Sequence, residues 1–191
     1  PSGAAFFALR GERFDANDFA PQALADGASI AIVDRWTGDC PAGGAVIRVP
    51  DTLAALQRFA AWYRRSLDIP VIGITGSNGK TSTKDFTSAV LSRAFQVCAT
   101  RGNLNNHIGL PLSVLSLEES HTAAVFEMGM NHPGEIAPLC EIARPRYGII
   151  TNIGTAHIEY MGSRDAIAEE KGALARCLPD DGVLFAPAGC D

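Results

Sequence analysis

A glycine-rich segment between an apolar stretch and a helical pattern carries the residues best suited to phosphate chemistry. Residues 76–82 read GSNGKTS and directly follow the apolar stretch 71–75. Glycines let backbone N–H groups turn toward a phosphate, and the start of the following helix adds partial positive charge. Lys80 can reach the outer phosphates of a nucleotide, and the Thr81 hydroxyl can bind Mg²⁺. We predict a nucleotide-binding loop formed by Gly76, Ser77, Asn78, Gly79, Lys80, Thr81 and Ser82.

The glycine spacing departs from the general phosphate-loop pattern. That pattern, G-x-x-x-x-G-K-[ST], has glycine at the position that Ile74 occupies in this chain. The glycines present are Gly76 and Gly79. The alternative is a glycine-rich turn with an exposed lysine, which the strand–loop–helix context disfavours.

Two polar side chains at the ends of other apolar stretches are candidates for the same site. Glu127 falls at the end of the predicted strand 123–128, where a carboxylate suits a Mg²⁺ ligand. A helix-capping or solvated acid is the alternative. His157 follows the predicted strand 147–152, although a lone histidine is more often structural.

A lysine on an apolar helix face is the third candidate. Lys171 shares one face of the predicted helix 164–178 with Ile167, Leu174 and Leu178. Burial favours the neutral amine over the ammonium, and a neutral amine can add CO₂ to give a carbamate. This anion could bind a second Mg²⁺. The alternative is an ammonium that reaches water at the edge of the helix.

The elements around these residues alternate between strand and helix. The predicted strands are 71–75, 97–100, 123–128, 147–152 and 182–185, and the predicted helices are 80–95, 134–143 and 164–178. This alternation predicts an α/β fold of the P-loop type, with a mostly parallel sheet covered by helices on both faces. Ligands of such sheets bind beyond the carboxyl ends of the strands, where the candidate residues fall.

A smaller α/β unit precedes this sheet. Its β-rich runs are 5–9, 29–33 and 45–49, with a helix-like stretch before Gly27 and a helix over 51–66. Asp51 or Thr52 can cap the latter helix. The segment SLDIP at 66–70 breaks the pattern, so we predict two domains, 1–68 and 69–191.

The composition narrows the classes of function. The 191 residues are 47% hydrophobic and 19% charged, the balance of a chain that folds around a core. The net charge is −5 and no run of Lys or Arg occurs, which disfavours a nucleic-acid partner. No apolar run approaches the ~20 residues of a membrane span. Five cysteines without a CxxC pair indicate reduced thiols in a cytoplasm. They are Cys40, Cys98, Cys140, Cys177 and Cys190.

The segment ITGSNGKTSTK at 74–84 resembles the ATP loop of the Mur ligase family, which uses the shortened spacing G-x-x-G-K-[TS]. Members of this family join an acid to an amine through an acyl-phosphate made from ATP. The resemblance implies that the catalytic residues are Lys80, Glu127, His157 and Lys171. It further implies that Thr81 and Glu127 hold the magnesium ion bound to ATP. His157 and a carbamate on Lys171 would help to hold a second Mg²⁺.

Two further segments are similar to the branch of the family that adds D-alanyl-D-alanine. RGNLNNHIGLPLSVL at 101–115 carries the pattern G-N-x-N-N-x-x-G-x-P-L, and EMGMNHPGEI at 127–136 is also similar to that branch. The amides of Asn103, Asn105 and Asn106 both donate and accept, which suits phosphate or peptide contacts. A turn-rich loop is the alternative, because asparagine favours such conformations.

The front segment 3–28 resembles the UDP-sugar-binding domain of the same family. Arg10 and Gly11 match the stretch that forms the uridine-diphosphate pocket, whereas Ala16 and Asn17 replace the family's Gly-His. The resemblance implies a UDP-sugar-binding domain at 1–68, truncated at its front. It also implies an ATP-binding central domain at 69–191, without its C-terminal part and without a third domain.

The resemblance as a whole implies a cytoplasmic, monomeric, ADP-forming ligase of peptidoglycan precursor synthesis. Its substrates would be ATP, UDP-MurNAc-tripeptide and D-Ala-D-Ala, with two Mg²⁺ ions. One alternative is addition of an amino acid to UDP-MurNAc-dipeptide. Another is a non-catalytic module that binds a nucleotide or UDP-sugar. The sequence is less similar to the pattern of folylpolyglutamate synthase, because a front domain precedes the ATP loop in this chain.

Overall fold

The computed structural model describes residues 3–11, 13–37, 39–40 and 43–188. The chain forms two compact units, Pro1–Phe59 and Ala60–Asp191. The division falls within a helix, Thr52–Arg65. Cys190, which we grouped with the reduced thiols, lies outside the described residues. The assignment of 1–68 to a UDP-sugar and of 69–191 to ATP stays a prediction.

The first unit contains a three-stranded parallel sheet in the order β1-β2-β3. Its strands are β1 (Ala5–Phe7), β2 (Ile30–Val33) and β3 (Ala45–Arg48). A short 3-10 helix (Ala16–Phe19) leads into α1 (Ala20–Ala25), and α2 (Thr52–Arg65) follows β3. The Asp51 carboxylate accepts a 2.9 Å hydrogen bond from the Ala54 N–H, which confirms Asp51 as the cap of α2.

The second unit contains a five-stranded sheet in the order β5-β6-β4-β7-β8, with every pair parallel. The strands are β4 (Val71–Thr75), β5 (Val97–Ala99), β6 (Ala123–Glu127), β7 (Tyr147–Ile150) and β8 (Val183–Phe185). The helices are α3 (Lys80–Leu91), α4 (Gly109–Leu115), α5 (Ile136–Ala143), α6 (Ile158–Met161) and α7 (Arg164–Cys177). The predicted parallel α/β sheet is confirmed.

Helices cover both faces of this sheet. Ile72, Ile74 and Val125 form a buried cluster on one face, and Leu91 of α3 packs against it. On the other face, a side chain at Gly73 would meet Leu174 of α7 at 3.0 Å. The two layers of helices follow from the crossovers that parallel strands require.

Two helices were missed by the sequence analysis, α4 and α6. In α4, Pro111 occupies the first turn, where a proline is tolerated, and Leu110 and Val114 are fully buried. In α3 the predicted helical spacing is confirmed. Phe86 and Val90 are nevertheless 74% and 71% exposed, because the inner face of the helix carries the buried Lys84 instead. In the described part of the chain, the helices are too short or too polar to span a lipid bilayer.

Candidate active site

The glycine-rich loop occupies the switch point of the sheet. From the central strand β4 the chain first adds β5 and β6 on one side, and then β7 and β8 on the other. The crevice beyond the carboxyl end of such a strand is where ligands of parallel sheets bind. Glu127 pairs in register with Ile74 of β4, so its side chain lies beside the loop.

Both glycines of the loop adopt backbone conformations that other residues rarely adopt. Gly76 has φ 148° and Gly79 has φ 77°. A side chain at Gly76 would collide with the Thr151 hydroxyl. Gly79 is the N-cap of α3 and provides no side-chain cap. The first N–H groups of α3 have no acceptor within the helix, so they are available to an anion.

The loop is fixed by the residues that follow β7. The Ser77 N–H donates to the Asn152 carbonyl at 3.1 Å, and the Asn78 N–H donates to the Asn152 side-chain oxygen at 2.9 Å. The Thr151 hydroxyl donates to the Asn78 carbonyl at 2.6 Å. Asn152 was not predicted as a site residue, although its place at the end of the predicted strand 147–152 was a signal. Two of the loop's N–H groups are therefore used inside the protein.

Lys80 lies over the loop that precedes it. Its Nζ donates a 2.8 Å hydrogen bond to the Gly76 carbonyl. Burial lowers the pKa of Lys80, and the negative charge of Glu127 opposes that effect. The ammonium thus lies at the mouth of the loop, close to a carboxylate.

Glu127 contacts both the glycine-rich loop and the asparagine-rich segment. It is 3% exposed, and its Oε2 accepts a 2.9 Å hydrogen bond from the Thr81 hydroxyl. Its Oε1 accepts a 2.8 Å hydrogen bond from the Asn105 amide, and its backbone N–H donates to the Thr100 hydroxyl at 3.0 Å. The structure therefore brings Thr81, Glu127 and Asn105 together at one edge of the sheet.

The oxygen atoms of Thr81 and Glu127 are of the kind that Mg²⁺ prefers. No group of three or more His, Cys, Asp or Glu side chains with metal-binding geometry occurs among the described residues. A magnesium ion held by one hydroxyl and one carboxylate needs its remaining ligands from phosphate and water, which is usual for this ion at nucleotide sites. The residues present fit such an ion.

A cleft of about 320 Å³ extends from the loop. Its lining includes Lys80, Asn105, Asn106, His132, Glu135 and His157. Nδ1 of His132 lies 3.4 Å from Oε1 of Glu135, and the His132 ring packs on Tyr160 with 4.9 Å between centroids. Burial raises the pKa of Glu135, but hydrogen bonds from the N–H groups of Asn131 and His132, together with the His132 side chain, outweigh it and lower that pKa. His132 and Glu135 were not predicted as members of the site, although they lie within the segment 127–136 that carries the family resemblance.

His157 lies in the same cleft as Lys80. It has φ 64° and directly precedes α6. A histidine in the left-handed region is uncommon and marks a position that its surroundings hold in place. Its part in binding a metal stays a prediction.

Lys171 is buried in α7. The residue is 2% exposed, so the predicted burial is confirmed. Burial and, to a smaller extent, the positive charge of Lys80 lower its pKa to about 8, and the negative charge of Glu170 opposes the shift. Within the described residues, no hydrogen bond or ion pair reaches its Nζ. A free, partly neutral amine is the group that adds CO₂.

Glu170, the neighbour of Lys171, connects α7 to the cleft. Its two carboxylate oxygens accept 2.7 Å hydrogen bonds from the N–H groups of Gly134 and Ile136. These groups belong to the start of α5 and the segment before it. Glu170 was not predicted from the sequence, because its donors are 34 and 36 residues away along the chain.

The three asparagines of the predicted binding loop have different surroundings. Asn105 contacts Glu127, as described above. The side-chain oxygen of Asn106 accepts from the N–H groups of Ile108 and Gly109, at 3.1 and 2.9 Å, at the start of α4. Asn103 is exposed, and its carbonyl accepts a hydrogen bond from the Asn105 N–H at 2.8 Å.

In the first unit, Arg10 forms ion pairs with two carboxylates. Its guanidinium lies 2.8 Å from Asp34 and 3.5 Å from Asp15. The Gly11 N–H donates to the Phe14 carbonyl at 2.9 Å. The Asn17 side chain donates to Asp15 at 2.7 Å, and this bond lowers the pKa of Asp15. A diphosphate that binds Arg10 must compete with these acids.

Named proteins of known sequence or structure are similar to this chain over nearly its whole length. It is 49% identical to the UDP-N-acetylmuramoyl-tripeptide--D-alanyl-D-alanine ligase of Bacillus subtilis, over 94% of this chain and 39% of that protein. A crystal structure of MurF from Acinetobacter baumannii matches with TM-score 0.90 and 43% identity, over 98% of this chain and 41% of that one. MurF ligase from Thermotoga maritima in complex with ADP matches with TM-score 0.89 and 34% identity, over 97% of this chain and 43% of that one.

The chain thus spans about two fifths of the length of the relatives that it matches. Residues 74–191, more than half of the chain, match the Mur ligase middle domain. This range begins at the end of β4 and includes the loop, Glu127, His157 and Lys171. The chain therefore belongs to the Mur ligase family.

Proposed function

We propose that this chain forms the ATP site and part of the UDP-sugar site of an ADP-forming ligase that adds D-alanyl-D-alanine to UDP-MurNAc-tripeptide. The observation that carries the proposal is the Glu127 carboxylate, held between the Thr81 hydroxyl and the Asn105 amide beside the loop. The names of the relatives that are 34–49% identical support this branch of the family.

The loop and the start of α3 would bind the phosphates of ATP. The unpaired N–H groups and the dipole of α3 favour negative charge. The Lys80 ammonium, which contacts the Gly76 carbonyl in the free protein, would exchange this acceptor for a phosphate oxygen. Its burial strengthens that contact, because the ammonium loses less solvent when the phosphate arrives.

Thr81 and Glu127 would hold the magnesium ion that accompanies ATP. When bound, this ion offsets the charge that spreads over the transferring phosphoryl group. The Asn105 amide donates to Oε1 of Glu127, so it orients the carboxylate and leaves Oε2 directed at Thr81. We assign Asn105 this positioning role.

His157 and a carbamate on Lys171 would help to hold a second Mg²⁺ near the substrate carboxylate. The neutral Lys171 amine attacks the carbon of CO₂, an N–C bond forms, and one proton leaves to solvent. The lowered pKa of Lys171 raises the fraction of neutral amine at neutral pH. The burial and the unpaired Nζ of Lys171 support this assignment.

The reaction proceeds in two steps in this proposal. The terminal carboxylate of the tripeptide attacks the γ-phosphorus of ATP, which gives an acyl-phosphate and ADP. The amine of D-alanyl-D-alanine then attacks the acyl carbon, an amide forms, and phosphate leaves. Lys80 stabilises the negative charge on the transferring group.

Arg10, Gly11 and the three asparagines are the residues that we propose for substrate binding. Arg10 carries the positive charge that a uridine diphosphate requires, and Asn106 lines the cleft. The four cysteines of the described residues, Cys40, Cys98, Cys140 and Cys177, are free thiols. They support a cytoplasmic location, and we propose a monomer.

Release of phosphate by the complete protein tests this function. We expect release from ATP and Mg²⁺ only when UDP-MurNAc-tripeptide and D-alanyl-D-alanine are both present. Release with UDP-MurNAc-dipeptide and a free amino acid would instead indicate the alternative ligase. Binding of ATP without release in any mixture would indicate a non-catalytic module. The exposed variant Glu119→Gln serves as a control for Glu127→Gln.

A further inference from the structure

Thr75 has a buried hydroxyl that the protein itself does not satisfy. The residue is fully buried. Among the described residues, its Oγ1 is the buried side-chain polar atom without a hydrogen-bond partner. Buried hydroxyls almost always find a partner, because an unsatisfied one costs stability. Such an atom beside a candidate active site indicates a partner that arrives with a ligand or a modification.

The side chain of Thr75 faces the layer that contains α7. Ile72 and Ile74 point to the opposite face of the sheet, where they pack with Val125. Gly73 points toward Leu174 of α7. Side chains along a strand alternate between faces, so Thr75 shares the face of Gly73 and lies about 6.6 Å nearer to the loop.

Lys171 lies on the same face of the sheet as Thr75 and at a similar position along the strand direction. α7 precedes β8, which is parallel to β7, so α7 runs back from the carboxyl edge of the sheet toward the amino edge. Lys171 is three residues before Leu174 and therefore lies about 4.5 Å nearer to the carboxyl edge. An unpaired hydroxyl and an unpaired amine thus face the same buried layer.

The positive charge of Lys80 provides independent support for this placement. That charge lowers the pKa of Lys171, so the two lysines are close enough to interact. The Lys80 Nζ also contacts the carbonyl of Gly76, which directly follows Thr75. Lys171 therefore approaches the end of β4 from the α7 side, although it donates no hydrogen bond to Thr75 in this state.

We propose that Thr75 is a positioning residue whose hydroxyl donates a hydrogen bond to a carbamate oxygen on Lys171. This proposal rests on the carbamylation proposed above. Addition of CO₂ lengthens the Lys171 side chain by a carboxylate group. This group can reach the Thr75 hydroxyl, which the amine alone does not. The carbamate oxygen accepts from Thr75 Oγ1, and the hydroxyl keeps its proton. The bond stabilises the carbamate and fixes the direction of its oxygens.

The test measures carbamate directly in the full-length protein, by ¹³C NMR in ¹³C-labelled bicarbonate. Lys171→Gln identifies the signal by its loss. Thr75→Val removes the hydroxyl and keeps the shape, whereas Thr75→Ser keeps the hydroxyl. We expect the apparent affinity for CO₂ to fall about tenfold in Thr75→Val, as for loss of a hydrogen bond to a charged group. Thr75→Ser should stay close to wild type.

Thermal stability gives a second readout that separates this role from a structural one. In CO₂-free buffer, Thr75→Val should be at least as stable as wild type, because it removes an unsatisfied hydroxyl. Bicarbonate should raise the Tm of wild type more than that of Thr75→Val. Activity of Thr75→Val should recover as bicarbonate is increased.

Three results would overturn the proposal. Equal carbamate occupancy in Thr75→Val and wild type would exclude the hydrogen bond while leaving the carbamate itself in place. A Thr75→Val protein that is less stable than wild type without CO₂ would mean that the hydroxyl already has a partner. A wild-type protein without any Lys171 carbamate would overturn the proposed modification as well. Phosphate release that depends on both substrates is a separate measurement and would still test the ligase function.

Discussion

The hydroxyl of Thr81 donates a 2.9 Å hydrogen bond to Oε2 of Glu127, across 46 residues of sequence. Thr81 lies in the first turn of α3 and Glu127 ends β6. Adjacent parallel strands β4 and β6 bring these two positions together. In the free protein this bond occupies the oxygen atoms that we assign to magnesium.

Replacement of Glu127 tests that assignment. Glu127→Gln keeps the size of the side chain, removes its charge and replaces one of its two acceptor oxygens with an NH₂ group. We expect the activity of the complete protein to fall by about 10²–10³-fold, as for loss of one electrostatic contact to the reacting group. Titration of nucleotide binding with Mg²⁺ should show a weaker dependence on the metal. The same Mg²⁺ dependence in Glu127→Gln and in the control Glu119→Gln would contradict the assignment.

Replacement of Lys80 and of Lys84 by methionine should have different effects, the first on catalysis and the second on stability. Lys80→Met should lower kcat by about 10²-fold or more, with the free energy of unfolding unchanged or raised, because burial disfavours its ammonium. Lys84 donates to the Thr100 carbonyl at 3.0 Å. Lys84→Met leaves that acceptor unpaired and should lower stability by about 1–3 kcal/mol.

Denaturant unfolding and single-turnover kinetics check this pair of lysine variants. A Lys80→Met protein with normal kcat would remove Lys80 from the reaction. A Lys84→Met protein as stable as wild type would mean that its contact with Thr100 contributes nothing to folding.

The pH dependence of stability should reveal the buried Lys171. Its pKa is about 8 in the folded chain against an ordinary value of 10.5, so between these values the unfolded chain binds more protons. Stability therefore rises with pH from about 8 to 10.5, and below pH 8 the full cost is present. At about 1.4 kcal/mol for each pH unit, the difference of 10.5 − 8 corresponds to about 3 kcal/mol.

Lys171→Met removes this cost and should be more stable than wild type at pH 7, in buffer free of CO₂ and metal. The gain should shrink as the pH approaches 10.5. Chemical denaturation of both proteins between pH 7 and 10.5 measures the difference. A gain that stays constant with pH would mean that Lys171 titrates normally in the folded protein.

Asn152 should control the shape of the phosphate loop. Its carbonyl and side-chain oxygens accept from Ser77 and Asn78. Asn152→Ala loses the side-chain acceptor, which should lower stability by about 1 kcal/mol and raise the Kd for ATP. Asn152→Asp keeps an acceptor oxygen but adds a negative charge near the phosphates.

The two Asn152 variants therefore separate folding from binding. Asn152→Asp should keep the thermal stability of wild type and still bind ATP more weakly. Calorimetry of unfolding and of nucleotide binding measures both properties. Normal ATP affinity in both variants would show that Asn152 does not hold the loop in its binding conformation.

Local patterns predicted the central strand and the start of α3 without error. β4 (Val71–Thr75) is a continuous apolar run before a glycine, and α3 begins at Lys80 as predicted. The helix α4 was missed, because the asparagine-rich segment before it and Pro111 inside it are typical of a loop. Its stability comes from Leu110 and Val114, which are buried against other elements, and a local pattern does not contain that information.

The residues of the candidate site that carry a local sequence signal were predicted, and those that act through distant partners were not. Lys80, Glu127 and Lys171 each carry a local signal, namely a glycine loop, a strand end and an apolar helix face. Asn152 and Glu170 act through hydrogen bonds to residues at least 34 positions away. Only the strand order β6-β4-β7 and the packing of α7 bring these partners together, so the sequence pattern alone did not reveal them.

The position of the metal ion tests the central claim most directly. Crystals of the protein soaked with nucleotide and Mn²⁺ would locate the ion by its anomalous scattering. We expect a peak within about 2.5 Å of both Thr81 Oγ1 and a Glu127 carboxylate oxygen, with phosphate oxygens completing its ligands beside the start of α3. An ion and phosphates bound elsewhere, with the bond between Thr81 and Glu127 intact, would contradict the account.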